Sequence, residues 1–123
     1  REDLNYRIFN LGGGEECRIL YEDFLSRSFR YFGLGKLNFP KYAFARKNFH
    51  CGFYEDSDEL DDILNFRQDT IESYFGKLKT SVSPVKRLLA GSFRPLIKYH
   101  LLKQSEPYRA FLNKDIRMIR QFF

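Results

Sequence analysis

The sequence predicts a mainly α-helical protein, a small bundle of four or five helices with a minor strand or hairpin element near its N-terminal half. Three observations lead there. Long stretches repeat apolar residues at three- and four-residue spacing, the period of an amphipathic helix. Ser-Pro and Ser-Glu-Pro stand where helices would begin, at residues 83 and 105. Clear alternation, the mark of a strand, is confined to Leu4, Tyr6 and Ile8.

Each element follows from local chemistry. The alternating residues 4–9 read as a short strand, broken by Gly12, Gly13 and Gly14. From Glu15 to Phe32 the period is helical, with Cys17, Leu20, Tyr21, Phe24, Ser28 and Tyr31 on one side. Glu15 and Glu16 suit the first turn of that helix, and Gly33 and Gly35 end it. Aromatic runs at 42–45 and 49–54, around Arg46-Lys47-Asn48, suggest a hairpin entered at Pro40. Asp56 or Ser57 caps a long helix whose stripe runs from Leu60 to Leu78. Ser83-Pro84 starts another, with Pro95 predicting a break between Gly91 and Arg94. Ser105-Glu106-Pro107 opens the last, with Tyr108, Phe111, Leu112, Ile116, Ile119 and Phe123 on its apolar face. The expected core comprises Phe24, Leu64, Ile71, Phe75, Leu89, Phe93, Ile97, Leu112 and Ile116.

With 123 residues, one domain spanning 1–123 can bury such a core without covalent staples. No apolar run reaches the roughly 18 residues of a membrane span. The chain starts on Arg1 rather than Met, which fits processing or excision from something longer. Cys17 and Cys51 are expected as free thiols of an intracellular protein, with a disulfide between them as the secreted alternative.

Charge is unevenly divided. Residues 76–123 hold eleven Lys and Arg against two acids, a net +9; residues 1–75 hold ten against fourteen, a net −4. The acidic run Glu55 to Asp62 matches no calcium-loop spacing and suits a solvated first helical turn. The glycine run lacks the Gly-Lys-Ser/Thr of a phosphate loop, and Glu15-Glu16 would repel phosphate there. His50 and His100 form no constellation with a nucleophile, and no CxxC suggests zinc. No catalytic residue, metal or cofactor is therefore expected.

The C-terminal cations are the best functional signal. Lys86, Arg87, Arg94, Lys98 and Lys103, then Arg109, Lys114, Arg117 and Arg120, alternate with apolar stripes and should remain on the outside of packed helices. Such a face attracts phosphates without any base contact. A non-enzymatic nucleic-acid-binding module, for RNA or DNA, is the first expectation. The second is a protein-interaction or self-assembly domain, whose basic face meets an acidic protein surface or another copy of the chain. Aromatic residues, 18% of the chain, would supply its anchors.

One segment carries a family resemblance. Residues 66–79, with Gln68-Asp69-Thr70-Ile71-Glu72-Ser73-Tyr74-Phe75, resemble the Gln-Asp-x-x-Glu-x-x-Phe segment of P-element-type transposases, where the acidic residues belong to the catalytic region. The match covers about a tenth of the chain, and Thr80 to Leu88 lacks the Asn-Pro-rich turn of that family. An amphipathic helix accounts for the same residues, so no role is transferred.

Overall fold

Helix boundaries in the computed structural model fall mostly where capping chemistry puts them. The structure describes residues 6–47, 54 and 57–123. Among them are seven α-helices: α1 (Tyr21–Tyr31), α2 (Ser57–Leu64), α3 (Ile71–Ser81), α4 (Pro84–Ser92), α5 (Arg94–Gln104), α6 (Glu106–Leu112) and α7 (Ile116–Phe122). Short 3-10 turns occupy Glu15–Cys17 and Lys41–Ala43. The helical class is as expected; the helices are more numerous, and no strand forms among the described residues.

Two of the predicted helices are divided, each by a left-handed residue. Asn65 follows α2 with φ 48°, a conformation Asn tolerates, and its N–H closes on the Asp61 carbonyl at 2.6 Å. Thr70 then restarts the chain as α3 through a capping box: its Oγ1 accepts from Ser73 N at 3.1 Å, and Ser73 Oγ accepts from Thr70 N at 3.0 Å. The last predicted helix turns at Lys114, φ 54°, and Asp115 accepts from Met118 N to open α7. The break at Pro95 is where the sequence places it. α4 ends at Ser92, Phe93 intervenes, and Pro95 sits in the first turn of α5, where a missing N–H has no intrahelical partner to lose.

The expected strand and hairpin are corrected. Residues 6–10 form no ladder, and Tyr6 has φ 63°; Leu4 lies outside the described residues. At 41–43 the chain closes a 3-10 turn instead of a strand. Arg46 N and Lys47 N then donate to the Phe122 carbonyl at 2.8 and 3.2 Å, so this backbone pairs with the end of α7. Of the far arm, 49–54, only Tyr54 is among the described residues, and it is in no strand. The first helix starts at Tyr21 rather than Glu15, because Arg18 and Leu20 are extended.

Aromatic rings organise the packing. Phe75 on α3, 1% exposed, meets Phe24 and Tyr31 of α1 at 5.6 and 5.8 Å and its own neighbour Tyr74 at 5.3 Å. The Arg27 guanidinium lies 3.9 Å above the Phe75 ring and forks onto Glu72 at 2.6 and 2.7 Å, which binds α1 to α3. A second group joins the 39–44 segment to the C-terminus. Tyr42 stacks on Phe111 at 4.0 Å and meets the edge of Phe123 at 5.2 Å, while buried Phe29 meets Phe39 at 5.7 Å. Ser105 caps α6 and donates to the Ala43 carbonyl at 2.7 Å, fastening this group to the helices.

The expected core is only partly realised. Phe75 is buried, and Phe24, Ile71 and Ile97 are half-buried. Leu64, Leu89, Phe93, Leu112 and Ile116 are exposed. Neither α4 nor α5 contains a buried residue. α4 packs on α5, and α5 on α6, while Val85, Leu88, Leu89, Phe93 and Leu96 of their apolar stripes stay exposed.

Acid should loosen the α1–α3 joint. Arg27 holds the Glu72 carboxyl below its ordinary value, as Lys77 and then Ser73 do for Asp69. A carboxylate with a depressed folded-state pKa contributes stability above its unfolded value and loses it as pH falls through the folded one. The denaturation midpoint should therefore drop on acidification below the carboxylate range, and Glu72→Gln should flatten part of that drop. Equal slopes for both proteins in a urea series at several pH values would contradict the pairing.

Candidate nucleic-acid interface

The end of α1 creates the site. Gly33 adopts φ 80°, Leu34 N closes on the Phe29 carbonyl at 2.8 Å, and Gly33 N reaches the Arg30 carbonyl at 3.3 Å. This is a Schellman ending, with Leu34 and Phe29 both buried beside it. The corner then presses on α4. A Cβ at Gly33 would lie 2.6 Å from the Arg87 carbonyl oxygen and 2.8 Å from Arg87 Cγ. Arg94 at the start of α5 donates Nη2 to the Gly33 carbonyl at 3.3 Å. Backbone is thereby brought against backbone at the α1–α4–α5 meeting point.

Three arginines converge there. Arg30 from the last turn of α1, Arg87 from α4 and Arg94 from α5 line an open cleft of about 740 Å³, together with Leu88 and Ser92. Its size lies within the range of small-ligand pockets, roughly 300–1,000 Å³. No carboxylate lies within ion-pairing distance of any of the three among the described residues. Arg7, Arg27, Arg67 and Lys77, by contrast, meet carboxylates. Residues 73–105 contain no Asp or Glu at all.

The nine predicted cations divide into groups. Arg87 and Arg94 reach the cleft, and Lys86 is exposed on the same helix as Arg87. Lys98 does not face outward: its Nζ donates to the Lys36 carbonyl at 2.5 Å and to Asn38 Oδ1 at 2.8 Å, and lies 5.6 Å from the Phe29 ring. Burial, and secondarily the charge of Arg94, pushes its pKa down. Lys98 thus fastens α5 to the 36–38 loop. Lys103 sits 4.6 Å over Tyr99. Arg109, Lys114, Arg117 and Arg120 are exposed on α6, α7 and the turn between them, away from the cleft lining. Arg30 is not among the residues singled out from the sequence; its only signal there is a cation three places before a helix-ending glycine.

Other candidate features have structural roles. Arg67 donates to the Gly12 carbonyl at 2.9 Å and to Ser57 Oγ at 2.7 Å and pairs with Asp58, so the glycine run and the acidic run form one joint. Asp69 and Glu72 of the transposase-like segment are engaged by Lys77 and Arg27. Among the described residues no group of three His, Cys, Asp or Glu could hold a metal. Cys17 is a free, half-buried thiol whose Sγ lies 3.3 Å from the Asp69 carbonyl; Cys51 and His50 lie outside the described residues. His100 is exposed and accepts from the Gln104 amide at 2.9 Å. No helix among the described residues is long and apolar enough to cross a membrane.

Comparison with family models, with curated proteins and with solved structures gave no match to the chain.

Replacing Gly33 tests the corner directly. Left-handed backbone costs a non-glycine residue about 1–2 kcal/mol, and the Arg87 carbonyl adds a steric cost. Gly33→Ala should lower unfolding free energy by at least about 1 kcal/mol. An unchanged denaturation midpoint would show that α1 does not dock on α4 in this way.

Proposed function

We propose that the protein binds nucleic acid through phosphate contacts, with the cleft formed by Arg30, Arg87 and Arg94 as the centre of the contact surface. One observation carries this reading: arginines from three helices line one cleft, and among the described residues no carboxylate pairs with any of them. Guanidinium groups bind phosphate oxygens through paired N–H donors, so arginines with no carboxylate partner are suited to that ligand, Arg94 keeping donors free beyond the one it gives to the Gly33 carbonyl. The surrounding field strengthens the attraction. Lys86 lies nearby on α4, and the α6–α7 cations extend positive charge along the C-terminal half.

Phosphate binding has a measurable signature. Each neutralised phosphate adds about 0.7 to the salt slope for a single strand and about 0.9 for a duplex. Replacing Arg30, Arg87 and Arg94 together by Ala should weaken binding in fluorescence anisotropy and reduce the single-strand slope by about two. Replacing Arg109, Arg117 and Arg120 should change both quantities less. A cleft variant that binds like the parent protein would overturn the assignment of the site.

A second reading rests on a different observation. Val85, Leu88 and Leu89 of α4 are all more than half exposed, and monomeric proteins seldom display such contiguous apolar surface. With basic residues at its borders, this strip suits a partner helix that carries apolar residues flanked by Asp and Glu. Tight capture of an acidic amphipathic helical peptide, lost in Leu88→Asp, would support it; no binding at low salt would exclude it.

A further inference from the structure

We infer that the interface selects unpaired strands over duplex, because an exposed apolar ridge ending in two aromatic rings adjoins the arginine cleft. This inference rests on the nucleic-acid reading above and specifies its substrate class. The ridge is formed by Phe93, which caps α5, and by Leu96 and Tyr99 within it, three residues apart, and these are 57%, 64% and 56% exposed. Residues at i, i+3 and i+6 of a helix form one surface row, here about 9 Å long at 1.5 Å per residue. Phe93 lies between Ser92 and Arg94 in the chain, and both of those residues line the cleft. Leu88, also in the lining, is 72% exposed. At the far end of the ridge the Lys103 ammonium lies over Tyr99. Cations therefore flank both ends of an apolar row.

Among nucleic acids, that arrangement suits unpaired bases. A duplex presents phosphates outward and keeps its base faces stacked inside. It can satisfy Arg30, Arg87 and Arg94, but it has nothing to lay against Phe93 or Tyr99. A single strand offers both, with its phosphates in the cleft and its base faces on the rings. Proteins that bind single strands without sequence preference combine these two elements, a cationic groove and aromatic platforms. Strand selection also accounts for two features together: cleft arginines without a carboxylate partner among the described residues, and aromatic side chains that contribute nothing buried to either α4 or α5.

The experiment compares a labelled 15-nucleotide single strand with a blunt duplex of the same length and sequence, by anisotropy at two salt concentrations. The variant Phe93→Leu/Tyr99→Leu keeps an apolar surface and removes the rings at exposed positions; far-ultraviolet circular dichroism checks that its helices are retained. The expected result is single-strand affinity at least about tenfold above duplex affinity, and a loss of about tenfold for the single strand alone in the double variant. Equal affinity for both forms, or a double variant that loses nothing, overturns strand selection and leaves phosphate binding standing. Absence of binding to either form, even at low salt, removes the nucleic-acid reading and this inference with it. A double variant weakened equally toward both forms also overturns stacking, since it places the two rings in a contact common to strand and duplex.

Discussion

Position 33 admits only a residue without a side chain. The end of α1 turns through a left-handed conformation there, and at the same point it comes within contact distance of the α4 backbone at Arg87. Both demands fall on one atom, the missing Cβ. The corner brings the end of α1 against α4 and α5, so that Arg30 lines the same cleft as Arg87 and Arg94. On the other side, α1 is held by Phe75, with Arg27 lying over the ring and bound to Glu72. The aromatic joint makes α1 a fixed arm, and the glycine corner transmits its position to the basic helices.

Acid–base pairing is distributed in a way that leaves the second half of the molecule uncompensated. Arg7, Arg27, Arg67 and Lys77 meet carboxylates and tie distant segments together. Exposed ion pairs of this kind each contribute little. Their effect here is positional, since they join the N-terminal segment to α2 and α1 to α3. Beyond Lys77 no cation pairs with a carboxylate among the described residues. The cations of α4 and α5 point toward solvent or toward backbone carbonyls, as Arg94 and Lys98 do. Mutual repulsion among them is the cost of keeping a field directed outward, and a polyanion relieves it.

Punctuation is legible in the sequence, and convergence is not. Ser83 and Ser105 cap helices in the structure, Gly33 ends one, and Pro95 marks the α4–α5 break, because each acts through its own backbone neighbours. The splits at Asn65 and Lys114 escape a reading by periodicity, since an apolar stripe can continue in register across a turn. The expected core departs from the observed one for a related reason. A stripe shows which face of a helix avoids water, but it does not show whether the molecule supplies a cover. Leu89, Phe93 and Ile116 have the spacing of core residues and lie exposed. At the site, Arg87 and Arg94 are predictable from their helices. Arg30 is not, because its approach to them spans more than fifty residues of chain. Lys98 has the same periodicity as the outward cations and is separated from them only by the 36–38 loop folding over it.

The central claim is that the glycine corner gathers three arginines into one phosphate-binding site. Amide and arginine side-chain NMR shifts, followed during titration with a short oligonucleotide, test it most directly. The largest changes should group at Arg30, residues 33–35, Arg87 and residues 91–94, with the Nε–H signals of all three arginines moving together. Shifts confined to α6 and α7, or movement of Arg87 and Arg94 without Arg30, would contradict it.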